Sequence, residues 1–83
     1  MNVKDKSLKI YNSVFQKNYD IAVKECDKLS NYYQELMNDE SYSEENKYNL
    51  NKIYLLIEEY KVSLQIQNFD LVKMKYLNLI ERI

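Results

Sequence analysis

The chain contains neither glycine nor proline in its 83 residues. Glycine is the residue that most readily supplies the positive φ angles of tight hairpin turns and of loops that hold phosphate groups. β-Meanders, nucleotide-binding loops and dinucleotide-binding turns are therefore disfavoured together. We expect an all-α fold of a size that makes one domain.

The chain also lacks histidine and has one cysteine, Cys26. Histidine is the commonest general base and metal ligand, and one cysteine cannot form an intrachain disulfide. Cys26 falls in the middle of an apolar helical stripe with no base to activate it, so we interpret it as a buried structural thiol. We predict no catalytic residue, no cofactor and no metal site, and hence no enzyme.

Positive and negative charges are almost balanced, with 12 basic and 13 acidic residues. A net charge of -1 offers no general attraction for nucleic acid or anionic lipid. No apolar run approaches the roughly 20 residues that span a bilayer, and the amino terminus has no signal-peptide pattern. We expect a cytoplasmic protein that binds neither nucleic acid nor membrane directly.

Hydrophobic spacing divides the chain into four helical stretches. The first is predicted from Val3 to about Lys17, with its apolar side formed by Leu8, Tyr11 and Phe15 and by the neighbouring Ile10 and Val14. The second has the clearest stripe, which consists of Ala22, Cys26, Leu29, Tyr33 and Leu36. Ser41 and Glu44 are spaced like a capping box at the start of the third helix, which is expected to reach about Gln67.

The segment 17–20 is repeated in similar form at 67–70, fifty residues later. The same offset aligns the second stripe with the fourth helix: Ala22, Cys26, Leu29 and Tyr33 correspond to Val72, Tyr76, Leu79 and Ile83. Upstream, Ile10, Ser13 and Val14 correspond to Tyr60, Ser63 and Leu64. We interpret Asn18 and Asn68 as equivalent bends between helices. The chain is therefore predicted to form two antiparallel helical hairpins, 3–37 and 44–83, joined by a polar acidic linker, 38–43.

Residues Lys17 to Ala22, followed by Cys26 and Leu29, resemble the corner between the two helices of a tetratricopeptide repeat, where an aromatic residue precedes a small one by three. The segment 67–72 is a looser second copy, and the fifty-residue offset is longer than the family's repeat of about 34 residues. The resemblance implies a short stack of hairpins. An irregular four-helix bundle is the alternative arrangement. Small export chaperones of bacterial flagella are similar in size and in their helix-corner-helix opening.

The third helix has two apolar faces. A broad face contains Leu50, Ile53, Tyr54, Leu56, Ile57, Tyr60 and Leu64. A second stripe lies nearly opposite and contains Tyr48, Leu55, Val62 and Ile66. Either this helix is sandwiched in the middle of the fold, or the second stripe meets another chain, which is a copy of itself or a partner helix. We hypothesise a non-enzymatic protein-binding module, acting as adaptor, chaperone or stoichiometric inhibitor through this stripe.

An acidic stretch without lysine or arginine lies between the two predicted hairpins. Its carboxylates are Glu35, Asp39, Glu40, Glu44 and Glu45. The simpler interpretation is that they favour the positive end of a helix dipole. The alternative function is a small acidic inhibitor of the phage type, which would mimic nucleic acid and block a nucleic-acid-binding enzyme. Ionic strength distinguishes the two functions, because only mimicry depends steeply on salt.

Overall fold

The computed structural model describes all 83 residues, which form four α-helices and no strand. The helices are α1 (Val3–Phe15), α2 (Tyr19–Asn38), α3 (Glu44–Gln65) and α4 (Phe69–Arg82). The predicted all-α fold is confirmed. None of the helices combines the length and the apolarity that are needed to cross a membrane.

The turns that join α1 to α2 and α3 to α4 each contain one left-handed residue, at equivalent positions. Lys17 has a φ angle of 60° and Gln67 a φ angle of 56°, and these are the only positive φ angles in the chain. The next helix begins at the equivalent residue in both places. The carbonyls of Asn18 and Asn68 each accept a bond from the amide four residues later, at 3.0 and 2.9 Å, but only the Asn68 side chain also caps its helix. The fifty-residue repeat is therefore a repeat of structure as well as of sequence.

Helix ends differ by one or two residues from the predicted positions. α1 ends at Phe15 and α3 at Gln65, each two residues early, because the left-handed residue that follows stops the helical hydrogen bonding. The Ser41–Glu44 capping box is wrong. Ser43 is the cap of α3 and accepts a hydrogen bond from the Asn46 amide at 3.1 Å. Ser41 stays in the linker because its amide donates to the Asp39 carboxylate at 2.9 Å.

The four helices pack as neighbours around a closed ring: α1 with α2, α2 with α3, α3 with α4, and α4 with α1. Of the two predicted arrangements, this closure corresponds to the four-helix bundle. Both hairpins contribute to one core, which consists of Ile10, Val14, Ala22, Cys26, Leu29, Tyr33, Ile57, Tyr60, Leu64, Val72 and Leu79. The predicted stripe of α2 is buried except for Leu36, which is half-buried.

The buried side of α1 is only partly the one predicted, since Ile10 and Val14 are in the core and Tyr11 packs against it. Leu8 and Phe15 are exposed, whereas Ser7 is buried together with Ile10 and Val14. Serine fits in this interior because its hydroxyl donates to the Val3 carbonyl at 2.8 Å. Its own carbonyl accepts a bond from the buried Tyr60 hydroxyl at 3.3 Å, which connects α1 to α3 across the bundle. Packing against two neighbouring helices thus rotates α1 away from its most apolar orientation.

Candidate protein-binding surface

The second apolar stripe of α3 is exposed to solvent. Tyr48, Leu55, Val62 and Ile66 have exposed fractions of 61%, 54%, 51% and 58%. The broad face of the same helix supplies the buried Ile57, Tyr60 and Leu64, while Leu50, Ile53, Tyr54 and Leu56 are half-buried against the core. α3 therefore packs between α2 and α4 with one face only. The helix is thus sandwiched between its neighbours, as one alternative predicted, but this packing leaves the second stripe uncovered.

Two charged residues lie in the same sector of α3 as this stripe. At about 100° per residue, Lys52 and Glu59 fall within about 40° of the direction of Tyr48, as do Leu55, Val62 and Ile66. We call these six residues the α3 strip: Tyr48, Lys52, Leu55, Glu59, Val62 and Ile66. The strip is about 27 Å long, at a rise of about 1.5 Å per residue. Both charges interrupt a row that is otherwise apolar.

A shallow groove of about 610 Å³ runs beside the strip, between α3 and α4. Its apolar lining comes from Leu55 and Val62 on α3 and from Leu71 on α4. The ion pair between Glu59 and Lys75, with its atoms 3.4 Å apart, joins the two helices there. Leu71 and Lys75 could not be singled out from the sequence, because both lie beside the buried stripe of α4 and have no pattern that sets them apart.

Glu58, the neighbour of Glu59, is committed to contacts inside the molecule. It accepts a hydrogen bond of 2.6 Å from the Ser30 hydroxyl on α2 and pairs with Lys61 at 3.1 Å. Lys61 also pairs with Asp27 at 3.1 Å. Partial burial opposes the charge of Lys61, but its hydrogen bonds to Asp27 and Glu58 prevail and raise its pKa. Of the two adjacent glutamates, Glu59 is therefore the one that faces solvent from the strip.

The internal repeat provides a comparison for the α3 strip within the same molecule. Fifty residues earlier, α1 and its flanks hold polar residues at five of the six corresponding positions, and the sixth has no counterpart. These residues are Asn2, Asp5, Lys9, Asn12 and Gln16, and all of them are exposed. The same place in the same kind of hairpin is thus polar in one copy and largely apolar in the other. The fold does not require apolar side chains there, so the strip needs another explanation.

The carboxylates of the acidic stretch are all exposed, around the linker between α2 and α3. Glu44 and Glu45 occupy the first turn of α3, where the helix dipole favours negative charge. Asp39 accepts hydrogen bonds from Ser41, which lower the pKa of the Asp39 carboxyl. The interpretation as helix capping therefore accounts for the two residues in α3. It does not account for Glu35 and Asp39, at the carboxyl end of α2.

Cys26 is fully buried, and its thiol donates a weak hydrogen bond to the Ile57 carbonyl at 3.6 Å. Burial raises the pKa of the thiol to about 12. A thiol that stays protonated and unreachable is a poor nucleophile and a poor metal ligand. The predicted structural role of Cys26 agrees with this environment.

A second apolar feature lies at the corner end of the bundle. Tyr11 of α1 stacks on Tyr76 of α4 with ring centroids 4.5 Å apart, and Phe15 meets Phe69 edge to face at 5.3 Å. The Phe15 ring is largely exposed above a hollow of about 440 Å³ between the two corners. These pairs fasten α1 to α4 and account for much of the aromatic surface there.

No group of three or more cysteine, aspartate or glutamate side chains is placed to hold a metal ion. The opening with the most apolar lining is the groove beside the α3 strip, which holds carboxylates paired with lysines. No protein-family model matches this chain, and neither does any curated protein or solved structure.

Proposed function

We propose that the chain is a non-enzymatic protein-binding module that docks another protein chain on the α3 strip and the adjoining groove. Adaptor, chaperone and stoichiometric inhibitor are the roles that such a module can take. The observation that carries the proposal is the difference between the two hairpins. Leu55 and Val62 stand where the first hairpin has Asp5 and Asn12, and both pairs are exposed.

Exposed apolar side chains in an ordered row are typical of surfaces that bind other proteins. The rigidity of α3 supports this use, since its opposite face is fixed by Ile57, Tyr60 and Leu64 in the core. A row on a rigid helix loses little conformational entropy when a partner covers it. Apolar contact would provide the affinity, and the charges of Lys52 and Glu59 would provide orientation.

The test exchanges the strip residues for those of the first hairpin. The double variant Leu55→Asp, Val62→Asn carries the residues that the fold already accepts at positions 5 and 12. We expect unchanged helical content by circular dichroism and loss of the protein partners that the wild-type chain captures from the cells that make it. Ile21→Asp is the matched control, because Ile21 is 52% exposed on the other hairpin.

Capture that survives in the double variant would contradict the proposal, as would equal loss in the Ile21→Asp control. The dependence of binding on salt concentration then distinguishes the proposed docking function from the acidic alternative. Apolar docking should change little as sodium chloride rises from about 0.1 to about 0.5 M, whereas nucleic-acid mimicry should weaken steeply. A mimic should also fail when Glu40, Glu44 and Glu45 become glutamine, and the docking function should not.

A further inference from the structure

We propose that the occupant of the α3 strip is a second copy of this chain, laid antiparallel across the first about Leu55. In this arrangement Lys52 of each copy faces Glu59 of the other. The inference rests on the proposed function and names its partner. It is carried by the order of charges along the strip.

The two charges of the strip have opposite signs and lie on opposite sides of Leu55. Lys52 precedes Leu55 by three residues and Glu59 follows it by four. These separations correspond to about 4.5 Å and about 6 Å along the helix axis. Reversing the direction of the strip about Leu55 therefore brings each lysine within about 1.5 Å of the axial level of a glutamate.

The apolar residues have the same reversal symmetry. Tyr48 and Val62 each lie seven residues from Leu55, in opposite directions. An antiparallel copy thus places Tyr48 over Val62 twice and Leu55 over itself once, at the two-fold axis. A two-fold interface repeats every off-axis contact, so both apolar pairs and both ion pairs form together. A parallel copy would instead oppose lysine to lysine and glutamate to glutamate.

Neighbouring side chains leave both charges available. The Nζ atom of Lys52 lies 4.5 Å from the centroid of the Tyr48 ring. Lys52 forms no ion pair within the molecule. Glu59 has one partner, Lys75, and its side chain remains 52% exposed. Glu58 does not compete, since Ser30 and Lys61 hold it. The ring of Tyr48 and the groove lined by Leu71 provide apolar surface on both sides of the axis.

The first test measures the mass of the full chain by sedimentation equilibrium over a range of concentrations. We expect a reversible increase from the 10.1 kDa monomer toward twice that mass. Leu55→Asp, Val62→Asn should remain monomeric, and Ile21→Asp should associate like the wild type. A chain that stays monomeric at every concentration up to about 1 mM would overturn the inference, because that result excludes a dimer with a Kd below about 1 mM. So would a dimer that the strip variant leaves intact.

The second test reverses the charges. Lys52→Glu and Glu59→Lys should each weaken the dimer by about tenfold, because each places like charges opposite one another. An equimolar mixture of the two single variants should associate again, and so should the double variant with both changes. Lysine and glutamate have similar helix propensity, so the fold should persist in all of them. A double variant no stronger than either single one would overturn the antiparallel arrangement.

The outcomes separate this inference from the proposed function. If the chain is monomeric, and the strip variant loses a different protein partner that the wild type captures, the proposed function stands and the dimer is contradicted. If the chain forms a dimer that depends on the strip and captures no other protein, the inference stands and the roles of adaptor, chaperone and inhibitor are contradicted. If neither dimer formation nor partner capture changes in the Leu55→Asp, Val62→Asn variant, both the inference and the proposed function are contradicted.

Discussion

Lys17 and Gln67, fifty residues apart, both adopt left-handed backbone conformations, with φ angles of 60° and 56°. A residue with a β-carbon is strained in this region, at a cost of roughly 1 kcal/mol relative to glycine. Each follows the last turn of a helix, at the position that glycine fills in many proteins. Because the chain has no glycine at all, both corners are formed by residues that tolerate the conformation less well.

Glycine at either corner should stabilise the protein. We expect Lys17→Gly and Gln67→Gly each to raise the free energy of unfolding by about 0.5–1 kcal/mol, since relief of strain exceeds the extra entropy of the unfolded chain. Chemical denaturation with urea measures the change. Lys24→Gly, on the exposed side of α2, is the control and should lower the stability by about 1 kcal/mol. Destabilisation at both corners would show that the left-handed conformation is not strained there.

The hydroxyl of Tyr60 should matter more than that of Tyr54 on the same helix. Tyr60→Phe leaves the buried Ser7 carbonyl without that donor and should cost about 1–2 kcal/mol. Tyr54 accepts a bond of 2.9 Å from the Gln34 side chain near the surface, where water can replace it. Tyr54→Phe should therefore cost less than about 0.5 kcal/mol. Equal losses in urea denaturation would contradict a special role for the bond between α1 and α3.

Cys26 should be unreactive in the folded protein. We expect slow labelling by a thiol reagent at pH 8 and rapid labelling in denaturant, because the thiol is buried with its pKa raised to about 12. Because the folded state favours the protonated thiol, its contribution to stability is fully present below pH 9.0, the ordinary pKa of a thiol. That contribution is lost as the pH rises from 9.0 toward 12. Cys26→Ala should accordingly show a smaller loss of stability between about pH 9 and about pH 10, below most tyrosine ionisation. Fast native labelling would place the thiol outside the core.

Glu25 should contribute to stability at neutral pH and lose that contribution in acid. Hydrogen bonds from Lys6 and then Lys28 lower the pKa of its carboxyl below the ordinary 4.5. A lowered pKa stabilises the folded state above the ordinary value, and the effect disappears as the pH falls through the lowered one. Thermal unfolding of Glu25→Gln should therefore depend less on pH below about 5 than that of the wild type. Glu35→Gln, which removes an exposed carboxylate that has no ion pair, is the control.

The sequence alone was sufficient to predict the four helices and their order along the chain. Helical periodicity depends on residues three and four apart in the sequence. Local spacing was therefore enough to predict the stripe of α2 and the two faces of α3. The fifty-residue repeat was also visible, through the segments 17–20 and 67–70. The cap of α3 was misassigned because Ser41 and Ser43 are both acceptable caps, and the hydrogen bond from the Ser41 amide to Asp39 decides between them.

Tertiary structure decided which side chains are covered. The packing of α1 against both α2 and α4 buries Ser7 while leaving Leu8 and Phe15 exposed. The packing of α3 between α2 and α4 leaves Leu55 and Val62 outside the bundle and brings Lys75 beside Glu59. Local spacing determines that a helix has an apolar face. Only the packing of all four helices determines whether the molecule covers that face or leaves it for another chain.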